Sequence, residues 1–473
     1  MRWTLAQILE ATGGERIRPG AESVEQLPAF TGISTDSRTV GPGEVFVALE
    51  GERFDGHRFL SQAVERGAAC LLVHNREAAR DLPEKAAVVA VADTLKALGD
   101  LAAHVRSRTA IPVVGITGSN GKTSTKEMVA GILGIRRPVL KNPGNFNNLI
   151  GVPLTLFQLS HQHGVAVVEM GINVPGEMER LAAMTRPTVG LITNVHPAHL
   201  EGLGTVDRVL EEKAKLWDVL GSQGTAVVNL DDENLRARAE QLSCRKTTFS
   251  MRDKAADVHL AGDPVMDRSG TRFRLAVGGV SLSIRLPVLG LHQVQNALAA
   301  AAAALAVGAF PEDIPKGLAS HRPVAQRMET LEFPDGTFLI NDCYNANPRS
   351  VEAALETLQK ASENAPRVIV LGEMKELGAE SESLHRAVGI KAAGLDPVLL
   401  VTMGDHGEAI RRGALESGLS EDRTVHAATH REAARAVLDR WQPGQWILVK
   451  GSRGMTMEKV TDVLVEEKRA VRS

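Results

Sequence analysis

Residues 111–123 read IPVVGITGSNGKT, and this stretch decides the fold of the middle of the chain. The apolar run 111–116 predicts a buried strand, and the pattern from Lys122 onward predicts a helix. Glycines at positions 115, 118 and 121 would let backbone N–H groups turn toward phosphate oxygens, which a helix N-terminus also attracts. A standard P-loop would have its first glycine at the position of Ile116. Because strand, loop and helix agree, we still expect a phosphate-binding loop.

The loop and the strand ends around it supply candidate ligands for ATP and Mg²⁺. Lys122 would neutralise the β- and γ-phosphates, and Thr123 would offer its hydroxyl to Mg²⁺. Glu169 follows the apolar run 165–168, and a carboxylate at the carboxyl edge of a parallel strand suits nucleotide-bound Mg²⁺, although a solvated strand end is the alternative. The other candidate residues of the loop are Gly118, Ser119, Asn120, Gly121 and Ser124. The loop by itself indicates nucleotide binding and no particular activity.

Apolar runs and helical patterns alternate along most of the chain, which predicts an α/β protein of several domains. The runs that suggest a parallel sheet in the middle of the chain are 111–116, 165–168, 189–193 and 225–229. A second α/β unit is predicted from runs at 338–340, 368–371, 398–401 and 446–449. Short alternating segments within 256–288 favour antiparallel strands. We expect three domains, at residues 1–107, 108–322 and 323–473, with a frayed helix end at 465–473.

Composition and charge exclude several classes of protein. The 473 residues carry a formal net charge of −3, which gives no electrostatic reason to expect nucleic acid as a partner. The three cysteines are isolated, so neither a disulfide framework nor a zinc site is expected. The apolar run 297–307 is shorter than a membrane span, and the N-terminus does not read as a signal peptide. We therefore expect a cytoplasmic protein without membrane insertion.

The motifs around the loop resemble those of the Mur ligases and their relatives, folylpolyglutamate synthase and cyanophycin synthetase. The loop, Glu169, the segment HPAHLEGLG at 196–204 and a following lysine occur in the order of that family. The resemblance implies an ATP-driven ligase with two Mg²⁺ sites. It also implies that Lys213 carries a CO₂-derived carbamate, which surrounds the second Mg²⁺ together with Glu169 and His199. Lys122, Glu169, His199 and Lys213 would be catalytic, and Lys215 is the alternative lysine.

Other matches to the family extend over nearly the whole chain. The segment GLHQVQN at 290–296 matches a segment beside the nucleotide, with glutamine at position 293 where asparagine is usual, so His292 and Asn296 are the candidates. Arg327 would reach an ATP phosphate, and the C-terminal domain would bring in Asp342. The resemblance also implies a Rossmann-like C-terminal domain for the acceptor, an N-terminal α/β domain for the uridine nucleotide, and a monomer.

The motif YNANP at 344–348 is typical of the family branch that adds D-alanyl-D-alanine. The expected reaction is ATP-dependent addition of D-alanyl-D-alanine to UDP-N-acetylmuramoyl-tripeptide through an acyl phosphate, in peptidoglycan precursor synthesis. The candidate acceptor-binding residues are Tyr344, Asn345, Asn347, Lys450, Ser452 and Arg453. The candidates for the UDP-linked precursor are Ser34, Asp36, Ser37, Arg38, Asp55, Gly56, His57, Asn145, Asn147 and Asn148. A sister ligase adding one amino acid and a non-catalytic Mur-fold binding protein are the alternatives, and the third peptide residue, lysine or diaminopimelate, stays open.

Overall fold

The computed structural model describes residues 2–18, 29–52, 54–83, 85–197, 200–468 and 471–472. Three separate sheets succeed one another along the chain, with five, ten and seven strands, and a two-stranded hairpin accompanies the first. This arrangement confirms the expected three-domain α/β class. The exact boundaries at 107/108 and 322/323 stay predictions.

The first sheet is parallel except for one edge strand. Its strand order is β1-β7-β6-β3-β2, and only β1 runs antiparallel to its neighbour. The elements are α1 (Leu5–Thr12), β1 (Glu15–Arg18), β2 (Ile33–Ser34), β3 (Val45–Val47), β4 (Glu50–Gly51), β5 (Phe54–Asp55), α2 (Leu60–Glu65), β6 (Cys70–Val73), β7 (Ala87–Ala90) and α3 (Thr94–Ser107), with 3₁₀ turns at Gly56–Phe59 and Glu77–Ala79. The loops that follow β2, β3 and β6 therefore meet at the same edge of this sheet.

The second sheet combines a parallel part with an antiparallel extension, as the sequence predicts. Strands run in the order β9-β10-β8-β11-β12-β13-β14 with parallel pairing, and β14 through β17 pair antiparallel. The elements are β8 (Val113–Thr117), α4 (Lys122–Leu133), β9 (Val139–Lys141), α5 (Gly151–Leu156), β10 (Val165–Glu169), α6 (Glu177–Thr185), β11 (Val189–Ile192), α7 (Leu200–Leu203), α8 (Val206–Asp218), β12 (Thr225–Asn229), α9 (Glu233–Glu240), β13 (Arg245–Ser250), β14 (Val258–Leu260), β15 (Val265–Asp267), β16 (Gly270–Val277), β17 (Val280–Leu286), α10 (Leu291–Ala306) and α11 (Asp313–Ala319). Because β8 lies between β10 and β11, the loop after β8 is next to the ends of both strands.

The third sheet is parallel in the order β22-β21-β20-β23-β19, with β18 and β24 antiparallel at one edge. The elements are β18 (Glu329–Glu332), β19 (Phe338–Asp342), α12 (Pro348–Ser362), β20 (Arg367–Gly372), α13 (Ser381–Ala393), β21 (Leu399–Met403), α14 (Gly407–Glu416), β22 (Thr424–Ala427), α15 (His430–Asp439), β23 (Trp446–Lys450), α16 (Glu458–Lys468) and β24 (Val471–Arg472), with 3₁₀ turns at Gly378–Glu380, Glu421–Arg423 and Arg453–Met455. The expectation of a frayed helix end at 465–473 is wrong for Val471–Arg472, because backbone pairing with β18 captures this segment as a strand.

The helix α10 shows why an alanine-rich run is buried here. Eleven of its residues, from Gln293 to Ala304, are buried between the central sheet and α4. Small side chains let the two helices approach closely, and α4 is thereby held with its N-terminus at the sheet edge. Among the described helices, none is both long enough and apolar enough to cross a bilayer.

Candidate active site

The loop between β8 and α4 needs glycine at two positions. Gly118 has φ 147° and Gly121 has φ 80°, and L residues rarely adopt either conformation. A Cβ atom at Gly118 would also collide with the hydroxyl of Thr193, and one at Gly121 would collide with the amide oxygen of Asn296. The loop therefore lies tightly against α10 and the residue that follows β11, and Ser119, Asn120 and Gly121 line a cleft on its other side.

Thr193 and Asn194, which follow β11, hold the loop by hydrogen bonds to the backbone of the loop. Ser119 N donates to Asn194 O at 3.0 Å, and Asn120 N donates to Asn194 Oδ1 at 2.9 Å. Thr193 Oγ1 donates to Asn120 O at 2.6 Å. These bonds hold the loop in place without using the side chain of Asn120. That side chain is consequently available for a contact elsewhere.

The first turn of α4 presents an ammonium and a hydroxyl to the cleft. Lys122 Nζ donates to Gly118 O at 2.7 Å and to Ser119 O at 3.3 Å. Burial lowers the pKa of Lys122, an effect that the charge of Glu169 opposes. Thr123 is buried, and its hydroxyl has no hydrogen-bond partner among the described residues. A buried hydroxyl without a partner fits a ligand that is supplied from outside the chain, such as Mg²⁺.

Glu169 ends β10 beside this turn and is 1% exposed. Its Oε1 accepts a bond from Asn147 Nδ2 at 2.8 Å, whereas Oε2 has no hydrogen-bond partner among the described residues. The ammonium of Lys126 lies 3.6 Å from Oε2. A buried carboxylate oxygen with unused bonding capacity fits a hard divalent cation. The residues present therefore fit a Mg²⁺ ion held by Thr123 and Glu169.

The two lysines of α8 have different surroundings. Lys213 is 1% exposed. Burial, and then the nearby charge of Lys122, lower the pKa of Lys213 well below its ordinary value. Lys215 is half-exposed and pairs with Glu212 Oε2 at 2.7 Å. Of the two candidates, only Lys213 therefore faces the interior close to Lys122.

The expected metal set also includes one histidine. His199 lies outside the described residues. Within the ranges that the structure does describe, no three His, Cys, Asp or Glu side chains form a metal cluster. This result is compatible with the expected ligands, because two of them are a threonine hydroxyl and a lysine.

Residues after the central sheet bring further polar groups to the same place. His292 opens α10, and burial lowers its pKa to about 4, so the imidazole is neutral near pH 7. The guanidinium of Arg327 lies 3.7 Å from the ring centroid of Tyr344, the single tyrosine of the chain. Lys450 Nζ donates to Asp342 Oδ2 at 2.5 Å and to Asn345 O at 3.0 Å. These contacts order the ends of β19 and β23.

A direct contact joins the phosphate-binding loop to the third domain. Asn347 Nδ2 donates to Asn120 Oδ1 at 2.8 Å, and Asn120 Nδ2 donates back to Asn347 Oδ1 at 3.4 Å. Asn347 also caps α12, since its side chain accepts from Ser350 N at 2.9 Å. One side chain therefore positions a helix of the third domain and binds the loop of the second.

The two domains enclose a cleft of about 1040 Å³. It gathers most of the candidate residues of the second and third domains: Ser119, Asn120, Gly121, Lys122, Thr123, Ser124, Asn145, Asn147, Asn148, Glu169, His292, Asn296, Arg327, Asp342, Tyr344, Asn345, Asn347, Lys450, Ser452 and Arg453. Gly118 and Lys213 are not among the residues that line the cleft. Residues from separate parts of the sequence thus form one continuous polar surface.

The candidates in the first domain lie apart from this cleft. Asp36 accepts two bonds from the Arg38 guanidinium, which holds the pKa of that carboxyl at about 2, and Ser37 Oγ donates to Gln62. His57 is buried; its Nδ1 is bonded to Asp55 at 2.8 Å, and its Nε2 accepts from the backbone N–H of His74 and Asn75. His57 therefore has no free ring nitrogen and stabilises the turn. Ser34 likewise bonds within its own turn, and a Cβ at Gly56 would strike the backbone of Leu49.

Comparison with known proteins identifies the family. The "Mur ligase family, catalytic domain" matches residues 29–106, the "Mur ligase middle domain" matches 116–304, and the "Mur ligase, glutamate ligase domain" matches 326–453. The UDP-N-acetylmuramoyl-tripeptide–D-alanyl-D-alanine ligase of Escherichia coli is 38% identical over 98% of both chains. The chain belongs to the Mur ligase family.

Solved structures agree with this membership. MurF from Acinetobacter baumannii superposes on this Mur ligase with a TM-score of 0.89 at 34% identity, covering 98% of this chain and 99% of the other. MurF ligase from Thermotoga maritima, solved in complex with ADP, gives a TM-score of 0.82 at 26% identity, covering 92% and 97%. The likeness extends over all three domains.

The structure of this Mur ligase adds polar residues that the sequence analysis missed. Lys126 is completely buried beside Glu169, and the side chain of Asn142 bonds to both backbone groups of Glu169. Lys375 lines the cleft beside Ser452. Lys126 could have been found, because it follows Lys122 by four residues and so lies on the same face of the helix. The sequence has no comparable signal for Asn142 or Lys375.

Proposed function

We propose that this Mur ligase joins D-alanyl-D-alanine to the free carboxylate of UDP-N-acetylmuramoyl-tripeptide at the expense of ATP, in peptidoglycan precursor synthesis. The observation that carries the proposal is the shared cleft. On one side it has a phosphate-binding loop and a buried carboxylate with a free oxygen, and on the other side it has Tyr344, Asn345 and Asn347. The ligases that share 34–38% identity over nearly the full chain bear the name of this reaction.

The chemistry requires that a carboxylate become a better electrophile. Transfer of the ATP γ-phosphoryl group to the precursor carboxylate gives an acyl phosphate, whose leaving group is phosphate in place of oxide. The neutral amine of the acceptor then forms the amide bond, phosphate departs, and the amine loses a proton. The cleft keeps these reactants together and limits hydrolysis of the acyl phosphate by water.

The residues of the loop bind and orient the nucleotide. The backbone N–H groups at the N-terminus of α4 and the Lys122 ammonium attract the phosphates, and Arg327 adds positive charge from the third domain. Thr123 and Glu169 would hold Mg²⁺, which neutralises charge on the transferring phosphoryl group when it is bound. His292, neutral near pH 7, can accept a hydrogen bond from the nucleotide or donate one to it.

Lys213 is proposed to act as a carbamate at a second Mg²⁺ site with Glu169 and His199. Only the neutral amine of a lysine can add to CO₂, and burial beside the charge of Lys122 favours that neutral form. The product is an anion with two oxygens, whereas an ammonium has no lone pair for a metal. Nearby Lys122 would stabilise the carbamate electrostatically.

Two further surfaces are proposed for the substrates. Asn145, Asn147 and Asn148 would bind the peptide part of the precursor next to Glu169, since amides can both donate and accept hydrogen bonds. The edge of the first sheet would hold the uridine nucleotide, with Asp36 and Arg38 as exposed polar groups. Tyr344, Asn345, Asn347, Lys450, Ser452 and Arg453 would form or order the acceptor site.

The decisive experiment offers the purified full chain two UDP-linked tripeptides, ending in lysine or in diaminopimelate, with D-alanyl-D-alanine or single amino acids and ATP. Mass spectrometry identifies the products. We expect ATP-dependent formation of a pentapeptide with D-alanyl-D-alanine only, and no product with Lys122→Ala, because the charge that binds the phosphates is lost. Products with single amino acids in place of the dipeptide would contradict the proposal, as would substantial activity of Lys122→Ala at saturating ATP.

A further inference from the structure

Lys126 is a fully buried cation one helical turn beyond Lys122. Its ammonium donates to Asn142 O at 2.7 Å and to Gly144 O at 2.9 Å, and it faces Glu169 Oε2 at 3.6 Å. Lysine is almost never completely buried unless it is paired. Its two carbonyl partners belong to one loop, residues 142–148, and its carboxylate partner belongs to β10.

The same loop also binds Glu169 directly, through the side chains of Asn142 and Asn147. Asn142 Nδ2 donates to Glu169 O at 3.0 Å, and Asn142 Oδ1 accepts from Glu169 N at 2.9 Å. Asn147 Nδ2 donates to Glu169 Oε1 at 2.8 Å. The cation, the loop and the carboxylate therefore form a closed network, in which a shift of any one member disturbs the other two.

Lys126 brings a positive charge close to two carboxylates, those of Glu169 and Glu127. Lys126 also lies 3.4 Å from Glu127 Oε1, and Lys141 pairs with the other oxygen of Glu127 from the solvent side. The positive charge of Lys126 partly offsets the charge of Glu169 from behind. A divalent cation that approaches Glu169 from the cleft is repelled by that same charge in a site with little screening by water.

Resting on the function proposed above, we propose that Lys126 is a positioning residue. It holds the loop 142–148, which carries the asparagines proposed to bind the precursor, and the Mg²⁺ carboxylate Glu169 in one geometry. Lys126 favours precursor binding, because its hydrogen bonds to the loop keep Asn147 in place. It weakens the binding of the divalent cation, because it competes for the charge of Glu169. Loss of Lys126 should therefore change the two affinities in opposite directions, which a merely structural role would not do.

The test compares three variants of the full chain with the unmodified protein. Lys126→Met removes both the charge and the bonds to the loop. Lys126→Gln removes the charge and keeps an amide that can donate to Asn142 O or Gly144 O. Lys141→Met is the matched control, because it removes a neighbouring lysine that pairs with Glu127 and has no bond to Glu169. Thermal melts establish that each variant folds, and the Gln variant carries the test if the Met variant does not fold.

Two equilibrium measurements read out the proposal without turnover. Mn²⁺ binding is followed by electron paramagnetic resonance with a non-hydrolysable ATP analogue present, and binding of UDP-N-acetylmuramoyl-tripeptide is followed by calorimetry. We expect Mn²⁺ to bind about tenfold more tightly to both Lys126 variants, the scale for removing one charge beside a buried cation site. We expect precursor binding to weaken about tenfold in Lys126→Met and less in Lys126→Gln. Lys141→Met should leave both affinities unchanged.

The outcomes separate this inference from the proposed function. Unchanged or weaker Mn²⁺ binding in a folded Lys126 variant would overturn the role of Lys126, and so would unchanged precursor affinity in folded Lys126→Met. Failure of the unmodified chain to bind the precursor would instead overturn the proposed function. Equal effects in Lys141→Met would show that the general surface potential, and not the buried network, controls both affinities.

Discussion

Replacing Asn120 with alanine should loosen the third domain from the phosphate-binding loop without disturbing the loop itself. Thr193 and Asn194 hold the loop by hydrogen bonds to the backbone N–H and C=O groups of the loop. None of these bonds uses the side chain of Asn120. The side chain serves the contact with Asn347, which joins the second domain to the third. The substitution therefore removes an interdomain contact and keeps the local fold.

The size of the effect follows from the geometry of two neutral hydrogen bonds. One is 2.8 Å long and the other 3.4 Å. A well-formed neutral bond contributes about 1 kcal/mol net and a long one less, so the pair contributes about 1.4 kcal/mol to domain docking. This free energy corresponds to about a tenfold change in the ratio of docked to undocked molecules. We expect kcat/KM for D-alanyl-D-alanine to fall about tenfold, while the affinity for ATP stays within about twofold.

Steady-state kinetics with varied acceptor, and calorimetry with a non-hydrolysable ATP analogue, measure the two quantities. Asn347→Ser is the matched variant, because serine can still cap α12 and cannot reach across to Asn120 in the same way. The double variant should be no worse than either single variant if both remove the same contact. Additive losses in this cycle, or an equal loss of ATP affinity in Asn120→Ala, would refute the reasoning.

Three other substitutions and treatments give distinct results. Depleting bicarbonate should remove the mass of one CO₂ from the native protein and lower turnover, and Lys213→Gln should show neither effect; a constant mass would contradict the carbamate. Burial lowers the pKa of His321 from 6.5 to about 4, so protonation favours unfolding; about 3 kcal/mol of stability should be lost from pH 6.5 down to pH 4, and His321→Gln should reduce this loss in urea unfolding. If the free energy of unfolding depends on pH equally in His321→Gln and in the unmodified protein, protonation of His321 does not cause the loss. Lys450→Met should lower the free energy of unfolding by about 2 kcal/mol, because it removes the ion-pair partner of the mostly buried Asp342. Arg453→Met, which breaks an exposed ion pair with Glu458, should lower it by about 0.5 kcal/mol. Equal losses in the two variants would contradict this difference between the buried and the exposed pair.

The strand-loop-helix unit at 111–133 was predictable because its signals are local. Glycines, a helix pattern and an apolar run lie within a few residues of one another, and tertiary context only confirms them. The antiparallel extension of the second sheet was predictable for the same reason. The strand at Val471–Arg472 was not, because its partner β18 is distant in sequence and the segment itself reads as the end of a helix.

The chain by itself determined the α/β class, the order of the domains and the residue types that meet phosphate, since these depend on local periodicity and short motifs. Only the tertiary structure decided which lysine of α8 faces the interior, that His57 is fully engaged in its own turn, and that Asn120 reaches Asn347. It also decided that Lys126 lies behind Glu169. The physical reason is that burial and pairing depend on groups far apart in sequence, whereas helix, strand and turn preferences depend on neighbours.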